Sequence, residues 1–471
     1  MVDQHVAPMA SGPHVVVLGG GVAGISTAVH LLEQGCQVTL VESRGFLGGR
    51  AFSFTDPETG EQVDNGQHII VGCCTCFRDL LRRLGVAESW YLQPHLRLRV
   101  LDRRGKEGLL AASPLPAPFH LLPSLLSYPH LSAREKARVV LALGRARFTH
   151  RHQPRLEHIT FYQWLKEQGQ SEQAVQNLWN LLVMPTLNDD VRVISAAMGL
   201  MIVQEGMLES RHNADLGYAL AGLLPAIGGP AREYLPARGC RLLLESPVRG
   251  LRFASGQVAG VNLASGEVVS GDAYVSALPF DILLRVLPSE VVEREALFQQ
   301  LQSLETSPIV NIHLWYDRAV MEGDFCAFVD SPVQWVFNQS AIGASRAGKG
   351  DSEGVHPGLA GAGQRLCVSV SAAWEYIDRP REELAETFIS EMARVFPRAG
   401  PARVLRALVV KQRHATFRCR PGANDLRPGS VTPVANLFLA GEWTRTGWPS
   451  TMESAARSGY NAAAAVASLF S

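Results

Sequence analysis

Val15-Val16-Val17-Leu18 runs directly into Gly19-Gly20-Gly21-Val22-Ala23-Gly24, and an apolar repeat of helical spacing follows at Ile25, Ala28, Val29 and Leu32. A β-branched strand that breaks on glycines and restarts as a helix constrains the fold more than any other feature of the chain. Gly19, Gly21 and Gly24 satisfy G-x-G-x-x-G. The first serves a tight turn, the second lets backbone approach a diphosphate, and the third lets helix and strand pack closely. The helix start offers free N–H groups and a positive dipole end to that anion. Gly35 ends the helix, Val38-Thr39-Leu40-Val41 reads as a second strand, and Glu42 closes it, 42 − 19 = 23 positions after the first glycine. A carboxylate there reaches a ribose hydroxyl. A βαβ unit without ligand is the alternative reading of the same residues.

Two further glycine-punctuated loops follow, Gly48-Gly49-Arg50 and Asp64-Asn65-Gly66-Gln67-His68. Adjacent glycines ahead of an arginine let backbone and guanidinium meet a phosphate together, which makes Gly49 and Arg50 cofactor candidates. Near the other end, Leu437-Phe438-Leu439-Ala440-Gly441-Glu442 reads as a buried strand ending in a glycine and a carboxylate. A helix is expected from about 450 to 468, with Pro449 at its first position and Ser450 and Glu453 as a capping box. Ala455, Ala456, Gly459, Ala462 and Ala463 give it a small-residue face that can lie close to a sheet or a flat ring. Its N-terminus would stabilise negative charge on the pyrimidine edge of an isoalloxazine.

At 471 residues two domains are expected. The formal net charge is zero, which argues against nucleic acid as a partner. Five lysines leave nearly all positive charge to arginine. Eight cysteines, mostly scattered through apolar stretches, suit free thiols in a reducing compartment, and Cys73-Cys74-Thr75-Cys76 lacks a matching ligand pair for zinc. Residues 1–13 read as a disordered tail without signal-peptide character. No apolar run is long enough to span a bilayer, so any membrane contact is expected to be peripheral, on the cytoplasmic face.

From about 90 to 215 the pattern is read as mostly helical. Within it Phe119, Leu121, Leu122, Leu125 and Leu126 precede Arg134, Lys136, Arg138, Arg145 and Arg147. This block reads either as a surface that docks on an anionic membrane or as core helices with a solvated basic face. Residues 239 to 280 read as consecutive strands with hairpin turns at Ser255-Gly256 and Ser265-Gly266. Strands are also expected at Ile309 to Trp315, Gln334 to Phe337 and Leu366 to Ser371. A mobile loop is expected from Ser345 to Gly363, and a helix from Glu382 to Phe396.

The N-terminal fingerprint, Gly48-Gly49-Arg50, Ser276-Ala277-Leu278-Pro279 and the C-terminal glycine, acid and helix together resemble the FAD-dependent amine oxidase and phytoene desaturase superfamily over essentially the whole chain. Within it the chain is most similar to the bacterial hydroxysqualene dehydroxylases, squalene-associated desaturase-like flavoproteins. Asp64-Asn65-Gly66-Gln67-His68, Leu178-Trp179 with Leu187-Asn188, Gln334-Trp335-Val336-Phe337, Ala415-Thr416-Phe417 and Leu439 through Gly459 carry that likeness. Glu442 stands where the family tends to have aspartate.

The resemblance implies an α/β fold, with a Rossmann-like FAD-binding domain of the amine oxidase and glutathione reductase type (14–90, 215–285, 425–471). An α+β substrate domain (91–214, 286–424) interleaves with it. It implies FAD held by Gly19, Gly21, Gly24, Glu42, Gly49, Arg50, Val248, Gly441, Glu442, Met452 and Glu453. The implied reaction replaces an allylic hydroxyl of a C30 isoprenoid with hydrogen, giving squalene. His68 is the first candidate for the acid that assists hydroxide departure, ahead of Asp64 and Glu442. Trp179, Asn188, Trp335, Phe337, Phe417 and Trp448 would line a long apolar pocket whose aromatic faces steady a cation. An upstream prenyl synthase is an implied partner. The competing expectations are a carotenoid or isoprenoid desaturase, an amine oxidase, and a non-catalytic scaffold for a prenyl synthase at the membrane.

Overall fold

A computed structural model describes residues 12–347 and 363–471. Residues 1–11 of the expected tail and 348–362 of the expected Ser345-to-Gly363 loop lie outside the described residues; Pro13 O accepts from Gln37 N at 3.0 Å, and the first residues of that loop instead end helix Gln339–Ala347. His14–Leu18 is the centre of a five-stranded, all-parallel sheet in the order Arg241–Leu243, Gln37–Val41, His14–Leu18, Ala273–Ser276, Leu437–Leu439. Val15 to Leu18 are fully buried, which is why the strand reads as a continuous apolar run rather than an alternating one. The chain leaves the central strand toward one neighbour and returns later to the other, so the crevice at its C-terminal end is a switch point. Helices Val22–Glu33 and Met452–Phe470 pack together beside it.

The sheet gathers strands from three distant stretches of sequence. Of the strand run expected from 239 to 280, only the middle forms hairpins: Val248–Ala254, Gln257–Leu263 and Val268–Val269 make a small antiparallel sheet. Arg241–Leu243 and Ala273–Ser276 enter the parallel sheet instead. The latter is buried at all four positions and has no polar side to show to water.

A second sheet of seven strands runs in the order Val404–Phe417, Thr306–Tyr316, Gln364–Ser371, Trp335–Asn338, Phe325–Val329, Arg97–Asp102, Glu107–Ala111. The last two correct the helical reading of residues 90 to 215. Arg97-Leu98-Arg99-Val100 alternates polar and apolar, and the hairpin joins the sheet through parallel pairing of Val100 with Ala327. Val404–Phe417 went unread because it is a partly exposed edge strand carrying Lys411-Gln412-Arg413-His414. In the long central strand, Val310, Ile312, Leu314 and Tyr316 bury against Leu384, Phe388, Met392 and Val395 of helix Arg381–Val395. The alternate residues face the other way. Asn311 Nδ2 donates to Asn65 O at 3.1 Å and Trp315 Nε1 donates to Glu61 at 2.9 Å, so the seven-stranded sheet closes onto the loops that follow Arg50.

Candidate functional site

The glycine loop has the shape of a diphosphate cradle. Gly19 holds φ +100°, and a Cβ there would stand 3.0 Å from the Ala277 carbonyl oxygen. At Gly24 a Cβ would fall 1.8 Å from Gly19 O, and at Gly49, with φ +61°, 2.8 Å from Gly21 Cα. The two glycine loops are bonded to each other, Gly48 N donating to Gly20 O at 2.8 Å. Helix Val22–Glu33 begins without a side-chain cap and without an acidic residue in its first turn, which leaves its first N–H groups for an anion. The Glu42 carboxylate accepts from Gly20 N at 2.7 Å, Ser43 Oγ at 2.9 Å and Arg44 N at 2.9 Å, so it fixes the loop and keeps one lone pair for a hydroxyl. Ser246 N donates to Glu42 O at 2.9 Å, which brings Val248 to the same end of the sheet. These residues fit a dinucleotide.

Arg50 does more than face that cradle. Its guanidinium pairs with the Glu442 carboxylate and donates to Ala415 O at 3.0 Å, while its own carbonyl accepts from Asn65 Nδ2 at 2.7 Å. Arg50 and Glu442, expected at a phosphate and at the ribityl chain respectively, thus tie the two ends of the chain together. Gly441 has φ +143°, and its N–H donates to Ser458 Oγ at 2.8 Å. A fully buried arginine absent from the sequence reading, Arg427, holds the segment that follows. It donates to the carbonyls of Glu442 at 3.1 Å, Trp443 at 3.3 Å, Trp448 at 2.8 Å and also Thr444. Burial brings its pKa down to about 10, so it stays charged at neutral pH.

The capping box expected at Ser450 and Glu453 is not formed. Thr451 is the N-cap of helix Met452–Phe470, its hydroxyl accepting from Ser454 N at 3.2 Å. Glu453 is fully buried and turns away. It accepts from the N–H groups of Cys76 at 3.2 Å and Phe77 at 2.8 Å, at the start of helix Thr75–Arg83, and pairs with Arg457 at 2.8 Å. Its carboxylate is therefore a brace between two helix starts. Met452, half-buried in the first turn, remains at the open end of the helix.

His68 is half-buried. Its Nδ1 is 3.0 Å from Gly66 O, and because a carbonyl only accepts, Nδ1 carries the hydrogen and Nε2 the lone pair. Ile69, next in sequence, pairs with Tyr218 across an antiparallel ladder, and Gln67 Oε1 accepts from Gln339 Nε2 at 2.5 Å. Tyr218, the cross-strand partner of Ile69, begins a band of aromatic rings. Tyr218 lies 6.2 Å from Phe325, which lies 6.2 Å from Trp335 and 6.1 Å from Phe337, and the last two stack at 5.9 Å.

The other expected pocket residues do not join that band. Trp179 is fully enclosed, donating to Gln170 at 3.0 Å with Phe161 edge-on to it, and so has no free face. Phe417 is buried beneath Arg427, whose guanidinium is 4.6 Å from the ring centroid. Asn188 adopts φ +53° and uses its amide on Ser307 O, Thr416 Oγ1 and Ala372 N, as a clamp between strands. Trp448 borders a cavity of about 370 Å³, but that cavity is polar: Arg151, Glu205, Glu209, Asn213 and Arg457 share its wall. It is a different place from the apolar slot expected for Trp448.

Loss of solvent holds His68, His120, His130 and His313 below the ordinary imidazole range, His313 at about 3. The unfolded chain takes up protons at these sites below pH ~6.5, and the native state resists them. Their contribution to stability is therefore complete above that pH and is lost as pH falls, at up to about 1.4 kcal/mol per pH unit for each group. Thermal unfolding followed from pH 7 to pH 5 is expected to show a falling Tm. His313→Asn is expected to flatten the curve.

The profile of the family described as "Flavin containing amine oxidoreductase" matches residues 22–467. A 15-cis-phytoene desaturase from Synechococcus elongatus is 26% identical over 96% of this chain and 95% of its own length. A zeta-carotene desaturase from Zea mays is 28% identical over 94% of this chain and 82% of its own. In structure, a redesigned putrescine oxidase superposes with a TM-score of 0.71 at 16% identity, covering 97% of this chain and 99% of that one. An oxidoreductase from Methanosarcina mazei gives 0.71 at 17% identity, covering 95% and 99%. The mixed α/β architecture with a parallel Rossmann-like core agrees with the fold expected from sequence. With a diphosphate cradle at one end, a braced helix start at the other and the family profile spanning nearly all residues between them, the chain belongs to the flavin-containing amine oxidoreductases, and its cofactor is FAD.

Proposed function

We propose that this flavoprotein acts on a long apolar isoprenoid and that its reaction is the reduction of hydroxysqualene to squalene, downstream of a prenyl synthase in squalene and hopanoid biosynthesis. The observation that carries this reading is the aromatic band from Tyr218 through Phe325 to Trp335 and Phe337, which begins at the cross-strand partner of Ile69, the residue after His68. Rings in series offer a polyene apolar contact along its length and an electron-rich face to an allylic cation. The desaturases named above, whose names give carotenoids as substrates, support an extended isoprenoid over a small amine.

Reduced FAD, when bound, supplies a hydride. Gly19, Gly21, Gly24, Glu42 and Gly49 would hold its diphosphate and ribose, and Gly441 and Met452 its ring end. His68 serves a different purpose from the acid expected of it. Burial keeps the ring neutral, and its Nε2 lone pair accepts a hydroxyl hydrogen, which orients the substrate's C–O bond toward the site. The C–O bond breaks with its electron pair on oxygen, and the hydroxide takes one proton from solvent to leave as water. The sheet face around Phe325 and Phe337, both buried, excludes water from the carbon left behind.

A second reading is favoured by the full-length similarity to desaturases: the same site oxidises a carotenoid precursor and passes the electrons on. Anaerobic holoenzyme, photoreduced and mixed with hydroxysqualene, is expected to give squalene by mass spectrometry. His68→Ala is expected to slow that turnover about tenfold with unchanged flavin content, and wild type is expected to show no acid limb near pH 6.5. Absence of squalene together with desaturation of phytoene by oxidised enzyme and a quinone would favour the second reading.

A further inference from the structure

Helix Ala133–Phe148 buries only one side. Glu135, Val139, Ala142 and Ala146 face the fold, and Ser132 and Glu135 close a capping box at its start. On the 3.6-residue repeat, Ala137, Leu141, Gly144 and Phe148 form a stripe on the opposite, solvent side. Leu141 is 66% exposed and Phe148 82%. Arg134, Arg138 and Arg145 border the stripe along one edge, Lys136 and Arg147 along the other. Two short helices before this one, Phe119–Leu121 and Leu122–Ser127, carry further exposed apolar side chains. Phe119 is 57% and Leu126 56% exposed, and Lys136 Nζ donates to Leu126 O at 2.6 Å, which holds the second short helix against Ala133–Phe148.

Charge decides what covers this surface. The whole chain is formally neutral, yet from 108 to 156 Glu135 is the only acidic residue against seven Lys and Arg. Glu135 is itself buried, with Ser132 and Ser171 as partners. Lys136, Arg145 and Arg147 donate to uncharged oxygens. An apolar stripe between two cationic edges suits insertion at the level of acyl chains with the arginines at anionic headgroups above them. A second copy of this chain would set like charge against like.

We propose that helix Ala133–Phe148 and the short helices that carry Phe119 and Leu126 dock the protein on a bilayer of anionic lipid, lying in the interface without crossing it. Among the described residues no helix is long and apolar enough to span a membrane. The proposal is independent of which isoprenoid the flavin site takes.

The test is co-sedimentation of the full-length holoenzyme with vesicles of phosphatidylcholine alone and of phosphatidylcholine mixed with phosphatidylglycerol. Binding is expected only to the mixed vesicles and is expected to weaken in high salt. Arg138→Gln with Arg145→Gln should weaken it about 25-fold, at about fivefold per basic side chain. Leu141→Ser with Phe148→Ser should weaken it by at least about tenfold. Arg145, Leu141 and Phe148 are exposed and Arg138 is half-exposed, so flavin content and Tm should stay at wild-type values, which separates loss of docking from loss of folding. Equal binding to neutral vesicles, or no binding to mixed ones, would overturn the proposal. So would a change from dimer to monomer in the apolar variant with vesicle binding unaltered, which would assign the surface to a second copy of the chain.

Discussion

Replacing Arg427 with leucine is expected to release FAD and to lower the unfolding free energy by about 4 kcal/mol or more. The guanidinium is enclosed completely and bonds four carbonyls of one loop, those of Glu442, Trp443, Thr444 and Trp448. The variant loses four hydrogen bonds to a charged donor, each worth about 1.5–3 kcal/mol, and leaves Trp443 O without a donor, while Glu442 O keeps Ser454 Oγ at 3.0 Å and Thr444 O keeps Thr446 N at 2.9 Å. Those carbonyls belong to the segment between Gly441 and helix Met452–Phe470, so the loss falls on the ring end of the cofactor site. Arg427→Lys keeps the charge but not the planar fork, and an ammonium cannot reach acceptors spread over that loop. It should fall between wild type and leucine. Flavin absorbance after desalting and urea unfolding measure the two effects, and a leucine variant with full flavin and an unchanged midpoint would show that the loop holds itself.

Nothing in the sequence pointed to Arg427, because its importance comes from tertiary placement. The residues Pro421 to Asn424 that precede it have loop composition, and an arginine in a loop is ordinarily solvated. The only local hint was Phe417, read as a pocket residue and found instead beneath the guanidinium. By contrast, the strand, glycines and carboxylate from Val15 to Glu42 were legible, since period, turn chemistry and spacing all depend on neighbours within the same βαβ unit. Glu453 shows the boundary between the two cases. Its position near a helix start was readable, but its partner at Cys76 and Phe77 is 377 and 376 positions away, and no local rule names it.

The seven-stranded sheet divides the same way. Thr306–Tyr316 and Gln364–Ser371, inner strands with a strongly apolar face, were found. Arg97–Asp102 and Val404–Phe417, near or at an edge and rich in arginine, were not. Of the six expected pocket residues, only Trp335 and Phe337 belong to the aromatic band. Aromatic side chains look alike in sequence whether they line a pocket or fill a core, and only their free faces tell them apart.

Within the first glycine motif the structure separates two roles that the motif itself runs together. Gly24→Ala is expected to abolish FAD retention and to destabilise the fold by about 3 kcal/mol or more, because its Cβ would stand 1.8 Å from the Gly19 carbonyl oxygen. Backbone cannot yield there. Gly19 is held at φ +100° between the Val41 carbonyl, which accepts its N–H at 2.8 Å, and the Ala277 carbonyl. Gly21→Ala should behave differently. Its φ of −73° is open to any residue, and the nearest atom to an added Cβ is Gly49 Cα at 3.8 Å, so the protein should fold with a Tm near that of wild type. The new methyl group would occupy the space between the two glycine loops, where the diphosphate must approach backbone N–H groups, and FAD affinity should fall about 100-fold. Calorimetric titration of the apoprotein with FAD, run beside thermal unfolding, resolves the pair. Equal stability loss in both variants would mean that the loops are packed against each other for structure alone. Loss of stability confined to Gly24→Ala, with affinity lost in both, follows if Gly24 is the hinge between helix and strand and Gly21 is the floor of the phosphate site.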